Sequence, residues 1–97
     1  MQLKIPHSFS RHEAVARVQR LLVEAKPQLA DKVTIAEERW EGDVLHFAFT
    51  TQGQNIAGTF EVRDTEYELN AKLPFMMRMF EGRIEKMIAE QSKQMLK

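Results

Sequence analysis

The sequence contains no cysteine and only three prolines, four glycines and one tryptophan among its 97 residues. Without cysteine, neither a disulfide framework nor a cysteine-based metal site is possible. No apolar run approaches the roughly 18 residues that a membrane helix needs, and no early stretch resembles a signal peptide. Fourteen basic residues balance fourteen acidic ones, so no net field attracts nucleic acid or anionic lipid. We therefore expect a cytoplasmic protein with no transmembrane segment and no nucleic-acid partner.

The end of the chain carries the strongest structural signal. Residues 66–73 alternate between polar and apolar side chains, which predicts a half-buried antiparallel strand. Pro74 then suits the first turn of a helix, and the apolar period changes from 2 to 3.6. One continuous amphipathic helix is predicted from there, and its apolar flank is expected to cover the sheet near Phe47 and Leu69. That flank comprises Met76, Met77, Phe80, Ile84, Met87, Ile88, Gln91 and Met95.

A second helix is predicted near the start of the chain. Ser10 and Glu13 fit a capping box, so the helix should begin at Arg11. Pro27 should end or kink it near Ala25, with Leu29 continuing the apolar seam through one further irregular turn.

Short alternating segments predict five strands in total. They cover residues 2–6, 33–40, 44–51, 56–63 and 66–73. The second changes phase between Ile35 and Trp40, which a bulge near Glu37 would reconcile. The predicted fold class is a single α+β domain over residues 1–97, an antiparallel meander with two helices on one face, in the order β-α-β-β-β-β-α. This order resembles a reduced helix-grip fold, the arrangement of START-like domains.

Three stretches carry a closer resemblance to a known family. They are the segment Glu-Arg-Trp-Glu-Gly-Asp-Val-Leu-His-Phe at 38–47, Gly-Thr-Phe-Glu-Val at 58–62, and Tyr-Glu-Leu-Asn-Ala-Lys-Leu-Pro-Phe at 67–75 followed by Gly-Arg-Ile-Glu at 82–85. The chain resembles the polyhydroxyalkanoic acid system protein family along nearly its whole length. It departs from that pattern at Pro74, where a glycine is common, and at Pro27. The resemblance implies a small bacterial protein associated with polyhydroxyalkanoate synthesis and granules, without an assigned biochemical activity.

No set of residues has the spacing of a catalytic or metal site. His7, His12 and His46 are widely separated and favour solvent exposure over metal ligation. The carboxylates of residues 61, 66 and 68 fall on the predicted wet face, where solvated charge is the simpler interpretation. The serines have no base at a useful spacing. We therefore predict no enzyme activity, no metal and no cofactor.

Methionines concentrate on the last helix, and methionine suits surfaces that adapt to varied apolar partners. Ordinary core packing is the simpler interpretation of this pattern. A ligand-binding role is the alternative, and its predicted residues are Phe75, Met76, Met79, Phe80 and Met87.

Two functions follow from this helix. The first is a non-enzymatic polyhydroxyalkanoate-system protein that binds an apolar ligand or a granule surface through the C-terminal helix and the sheet. The second is a homodimeric protein-interaction module.

Gly82, predicted in mid-helix on the polar side, costs about 1 kcal/mol relative to alanine there. Its predicted role is an interaction surface, although a local kink also explains it.

Overall fold

An antiparallel sheet of five strands forms the body of the molecule, with the strands in the spatial order β1-β5-β4-β3-β2. The structure is a computed structural model that describes residues 1–95, and side chains are described as far as Gln91. The predicted α+β class and the antiparallel meander are confirmed. The elements are β1 (Gln2–Pro6), α1 (Arg11–Leu29), β2 (Val33–Glu41), β3 (Val44–Thr51), β4 (Gln54–Val62), β5 (Glu66–Lys72), α2 (Phe75–Arg78) and α3 (Glu81–Met95).

Tight turns join the consecutive strands of the meander. Between β3 and β4, Gln52 has φ 51° and Gly53 has φ 75°. Two successive residues with positive φ match the right-handed twist of the flanking strands, as in a type I′ hairpin. Gly42, between β2 and β3, has φ 60°. β1 returns to pair antiparallel with β5, placing the first and last strands of the chain side by side.

The edge strand β2 contains the predicted bulge. Ile35 pairs with Phe49 and Glu37 pairs with Ala48, so the register shifts between Ile35 and Glu37. Ala36 is the extra residue. The bulge returns Trp40 to the face of the sheet that carries Ile35, which resolves the phase conflict in the sequence.

Helix α1 begins where the capping box predicts. The amide of Glu13 donates to the hydroxyl of Ser10 at 3.1 Å, and α1 starts at Arg11. Its end lies later than predicted, because α1 continues through Pro27 to Leu29. The last turn makes tertiary contacts, since Lys26 Nζ lies 2.9 Å from a carboxylate oxygen of Glu38 on β2. Pro27 has no amide hydrogen to donate, so the last turns of α1 continue with one fewer helical hydrogen bond.

The prediction of one continuous helix after Pro74 is wrong. The amide of Phe80 donates to the carbonyl of Met77 at 3.0 Å, whereas that of Ile84 donates to the carbonyl of Phe80 at 2.9 Å. The first is a three-residue turn and the second a four-residue helical bond, so the chain tightens at Met79 and Phe80. The segment therefore divides into α2 and α3.

Both long helices lie on one face of the sheet. The buried cluster that joins α1 to the sheet consists of Ile5, Ala14, Val18, Val62 and Tyr67. Ile88 of α3 packs against the same cluster, and α3 contacts β1. The expectation that α3 covers the sheet near Phe47 is wrong, because Phe47 lies beneath α1 and Phe80 is 53% exposed. The predicted seam residue Met95 has a side chain outside the described residues.

Candidate functional site

Five large apolar side chains of α2, α3 and the turn between them project into solvent, and we name them the α2–α3 strip. Phe75 is 79% exposed, Met76 70%, Met79 80%, Phe80 53% and Met87 58%. These are the five residues that the sequence predicts as ligand-binding. Most apolar side chains of this size are buried, so a group of five on neighbouring segments requires a physical explanation.

The strip is held by contacts on the other side of the helices. The guanidinium Nε of Arg78 donates to the carbonyl of Leu73 at 3.3 Å, fixing α2 to the end of β5. Glu81 lies 2.8 Å from the amino group of Met1, and Ile88 packs against the core cluster. The helices therefore attach through one flank and present the other to solvent.

A separate apolar cleft lies between α1 and strands β2, β3 and β4, and we name it the α1 cleft. Its volume is about 390 Å³. The lining residues are Val18, Leu21, Leu22, Ala25, Leu29, Val33, Ile35, Glu37, Glu38, Leu45, Phe47, Ala48, Phe49 and Phe60. No residue of the α2–α3 strip is among them. The sequence analysis predicted ligand binding through the C-terminal helix and the sheet, whereas this cleft lies between the first helix and the sheet.

Sequence reasoning missed the α1 cleft because it assigned the lining side chains to the buried layer. Leu29 and Ile35 are in fact 43% and 49% exposed. One sequence signal for the cleft was available, because Leu29 extends the apolar seam of α1 beyond Pro27. A longer apolar helix face can extend past the part of the sheet that covers it.

Charged residues at the rim of the α1 cleft are paired with one another. Lys26 Nζ lies 2.9 Å from Glu38 Oε2, and Arg39 Nε lies 3.5 Å from Glu37 Oε2. A second depression of about 400 Å³ contains Lys26 and shares Leu29, Ile35 and other residues with the cleft. Its position places the lysine at the mouth of the cleft.

Gly82 lies in the first turn of α3 and not in mid-helix as predicted. A methyl group added there would meet no described atom within 4 Å. In a first turn the helix has few internal hydrogen bonds to weaken, so glycine is less unfavourable there than in mid-helix.

The three histidines lie apart. His7 accepts from the amide of Phe9 through Nδ1 at 3.1 Å and reaches the carbonyl of Arg63 through Nε2 at 2.8 Å. Because a carbonyl only accepts, Nε2 carries the proton and the ring ties β1 to the end of β4. His46 Nε2 lies 3.5 Å from a Glu41 carboxylate oxygen. Within residues 1–95, no group of three or more His, Cys, Asp or Glu side chains is arranged to hold a metal ion.

Glu68 lies on the predicted outer face of the sheet, but the prediction that it is solvated there is wrong, since it is only 8% exposed. The amides of Asn70 and Gln2 donate to its Oε1 at 3.1 and 3.2 Å. These hydrogen bonds, Asn70 first, lower the pKa of Glu68 from its ordinary 4.5 despite partial desolvation, and the charges of Arg63 and Lys4 lower it further. A carboxylate held ionised in this way is unsuited to general acid catalysis.

Tyr67 is the other perturbed group. Its side chain is fully buried, and its hydroxyl has no hydrogen-bond partner among the described residues. Burial raises the pKa of Tyr67 above its ordinary 10.0, with Arg17 opposing the shift and Glu13 reinforcing it. The ring packs against His7 and Phe60, with centroids 4.6 and 5.4 Å away. Tyr67 is therefore part of the buried core cluster.

The candidate site therefore consists of an exposed apolar strip and a separate apolar cleft. Residues 1–96 match the family described as Putative polyhydroxyalkanoic acid system protein (PHA_gran_rgn). The chain belongs to this family, which is consistent with a role in the polyhydroxyalkanoate system. No curated protein and no solved structure shows a significant match, so the likeness to helix-grip domains stays a prediction. No helix in the described part of the chain is long and apolar enough to cross a membrane.

Proposed function

We propose that this protein is a non-enzymatic, cytoplasmic component of the polyhydroxyalkanoate system that binds the surface of the polyester granule through the α2–α3 strip. The observation that carries the proposal is the exposure of its five side chains, from 53% at Phe80 to 80% at Met79. A polyester surface is apolar and irregular. Methionine, with three rotatable bonds and a polarisable sulfur, adapts to such a surface.

The energetics favour attachment by the whole strip. Burying an exposed Phe or Met contributes about 1.5–3 kcal/mol, so the five side chains together contribute roughly 7.5–15 kcal/mol, from which an association cost of about 4 kcal/mol or more is subtracted. Removing one should weaken adsorption roughly tenfold, since 1.4 kcal/mol corresponds to a factor of ten. Folding should change little, because the strip contributes almost nothing to the core.

The test is sedimentation with particles of a polyhydroxyalkanoate polyester. We expect the wild-type protein to be retained, Met79→Gln to be retained roughly tenfold less, and the Phe75→Ser/Met79→Gln double variant to be lost from the pellet. Val23→Gln is the matched control, because Val23 is 67% exposed on α1, away from the strip. Wild-type retention no higher than that of an unrelated neutral protein would contradict the proposal.

A homodimer is the second candidate, favoured by the same exposed strip, which a second copy can cover. Gly82 lies next to the strip and leaves open space for the close approach of another helix. Light scattering at high protein concentration tests this candidate. A dimer that Gly82→Leu dissociates supports it, and a strict monomer unaffected by that substitution excludes it.

A further inference from the structure

We propose that the α1 cleft binds one uncharged aliphatic chain. This site is distinct from the α2–α3 strip and uses other elements of the fold. It follows from the lining, the size and the charge of the cleft, and it stands whether or not the strip binds a granule.

The lining is suited to alkyl groups. Leu22 and Ala25 of α1 form one wall, and Phe47 and Phe49 of β3 belong to the opposite wall. Aliphatic and aromatic side chains offer bound water almost no hydrogen-bond partners, so water in the cleft is easily displaced by an apolar group. A volume of about 390 Å³ lies in the range of small-molecule sites. This volume holds roughly a dozen water-sized groups, which matches the volume of a medium-length alkyl chain.

The charges at the mouth select an uncharged occupant. The cation nearest the cleft, Lys26, is paired with Glu38 at 2.9 Å, and Glu37 lies 3.5 Å from Arg39. A carboxylate or phosphate headgroup would have to separate Lys26 from Glu38 and would then face two glutamates. An uncharged alcohol or ester does not need the ion pair between Lys26 and Glu38 to separate, and the glutamates do not repel it.

The dimensions argue against a protein helix in the cleft. One turn of an α-helix with its side chains, about 10 Å wide and about 5.4 Å long, fills roughly 420 Å³, which exceeds the cleft volume of about 390 Å³. The chain's own α3 is also remote, because it contacts β1, at the opposite edge of the sheet from β2. A flexible single chain is the occupant that matches the opening.

The experiment is a chain-length series with methyl esters of linear alkanoic acids, titrated against the full-length protein. Binding is measured by displacement of N-phenyl-1-naphthylamine, with the fluorescence of Trp40 as a second signal. We expect affinity to rise about fourfold per added methylene and to level off near a dozen carbons, when the cleft is full. Affinity that does not depend on chain length overturns the proposal.

The same series with the free alkanoate anions tests the charge argument. Each anion should bind more weakly than the methyl ester of the same length. Equal or tighter binding of the anion would overturn the assignment to an uncharged chain.

Two matched variants localise the site. Ala25→Phe places a ring in the cleft and should lower ester affinity at least tenfold, whereas Val23→Phe places the same ring on the exposed side of α1 and should leave it unchanged. Met79→Gln should also leave it unchanged, so failure of the granule proposal and failure of this one are distinguishable. Equal ester affinity in the two phenylalanine variants, with both folded by circular dichroism, would contradict binding in the cleft.

Discussion

Tyr67 presents the sharpest test of the packing described above. Its hydroxyl is buried without a hydrogen-bond partner among the described residues, while its ring contacts His7 and Phe60. Replacing Tyr67 with phenylalanine removes the oxygen and keeps the ring. The folded protein then no longer buries a polar group that water would solvate in the unfolded chain.

The expected gain follows from that desolvation cost. An unsatisfied buried hydroxyl costs about 1–3 kcal/mol, so Tyr67→Phe should raise the free energy of unfolding by about 1 kcal/mol after partial relaxation. In a domain of this size that corresponds to a rise in Tm of about 4–8 °C. Urea unfolding followed by circular dichroism measures the change, with the denaturant slope unaltered.

The pH dependence gives a second measurement. Because burial raises the pKa of Tyr67 above 10.0, the folded state disfavours the phenolate. The wild-type protein should therefore lose stability as the pH rises above 10, and Tyr67→Phe should lack that part of the loss.

Tyr67→Leu is the control, because it removes both the hydroxyl and the ring contacts. It should destabilise the protein by about 2–4 kcal/mol. If Tyr67→Phe is also destabilising, the hydroxyl has a partner in solution, and the reasoning about its burial is refuted.

Three further predictions concern single positions. Gly58→Ala should lower the free energy of unfolding by about 2–3 kcal/mol in urea titrations, because a Cβ at Gly58 would clash with the backbone oxygen of Asn70. An unchanged urea midpoint would contradict that close approach. The pKa of Glu68 in the folded state lies below 4.5, so its carboxylate contributes stability above pH 4.5 that is lost as the pH falls. Glu68→Gln should flatten the pH dependence of the urea midpoint in that acidic interval. An unaltered pH dependence would argue against the hydrogen bonds to Glu68. Ser10→Ala should cost about 1 kcal/mol in the same titration by removing the cap on Glu13, whereas Ser10→Asp, which preserves a capping oxygen, should cost much less.

Local chemistry made several elements predictable. The cap at Ser10 and the phase change around Ala36 each depend on a few neighbouring residues. The start of α1 and the bulge in β2 were therefore predictable from the sequence. Short turns favour pairing between consecutive strands, so the order of β2 to β5 was predictable, whereas the pairing of β1 with β5 was not.

The position of the last helices could not be predicted in the same way. Periodicity identifies the apolar flank of a helix but not the surface that the flank meets. Ile88 packs against the core cluster, whereas Phe80 is exposed, because the turn at Met79 changes the direction of the flank. The strip residues were identified by residue type and by their positions on or beside the predicted apolar seam, and their binding role stays a prediction.

The burial of Glu68 shows the same limit for a strand. Alternation correctly assigns it to the outer face of β5. Its cover comes from Gln2, 66 positions earlier in the chain, whose amide reaches it only because β1 pairs with β5. Nothing near Glu68 in the sequence indicates that distant neighbour.

The bulge in β2 affects how copies of this protein can associate at high concentration. A second copy approaching this outer strand meets an interrupted row of backbone donors and acceptors, flanked by the charges of Glu37, Glu38 and Arg39. Stacking of strand upon strand into a fibre is therefore disfavoured. Copies that lie close together at high concentration can therefore remain separate, folded molecules.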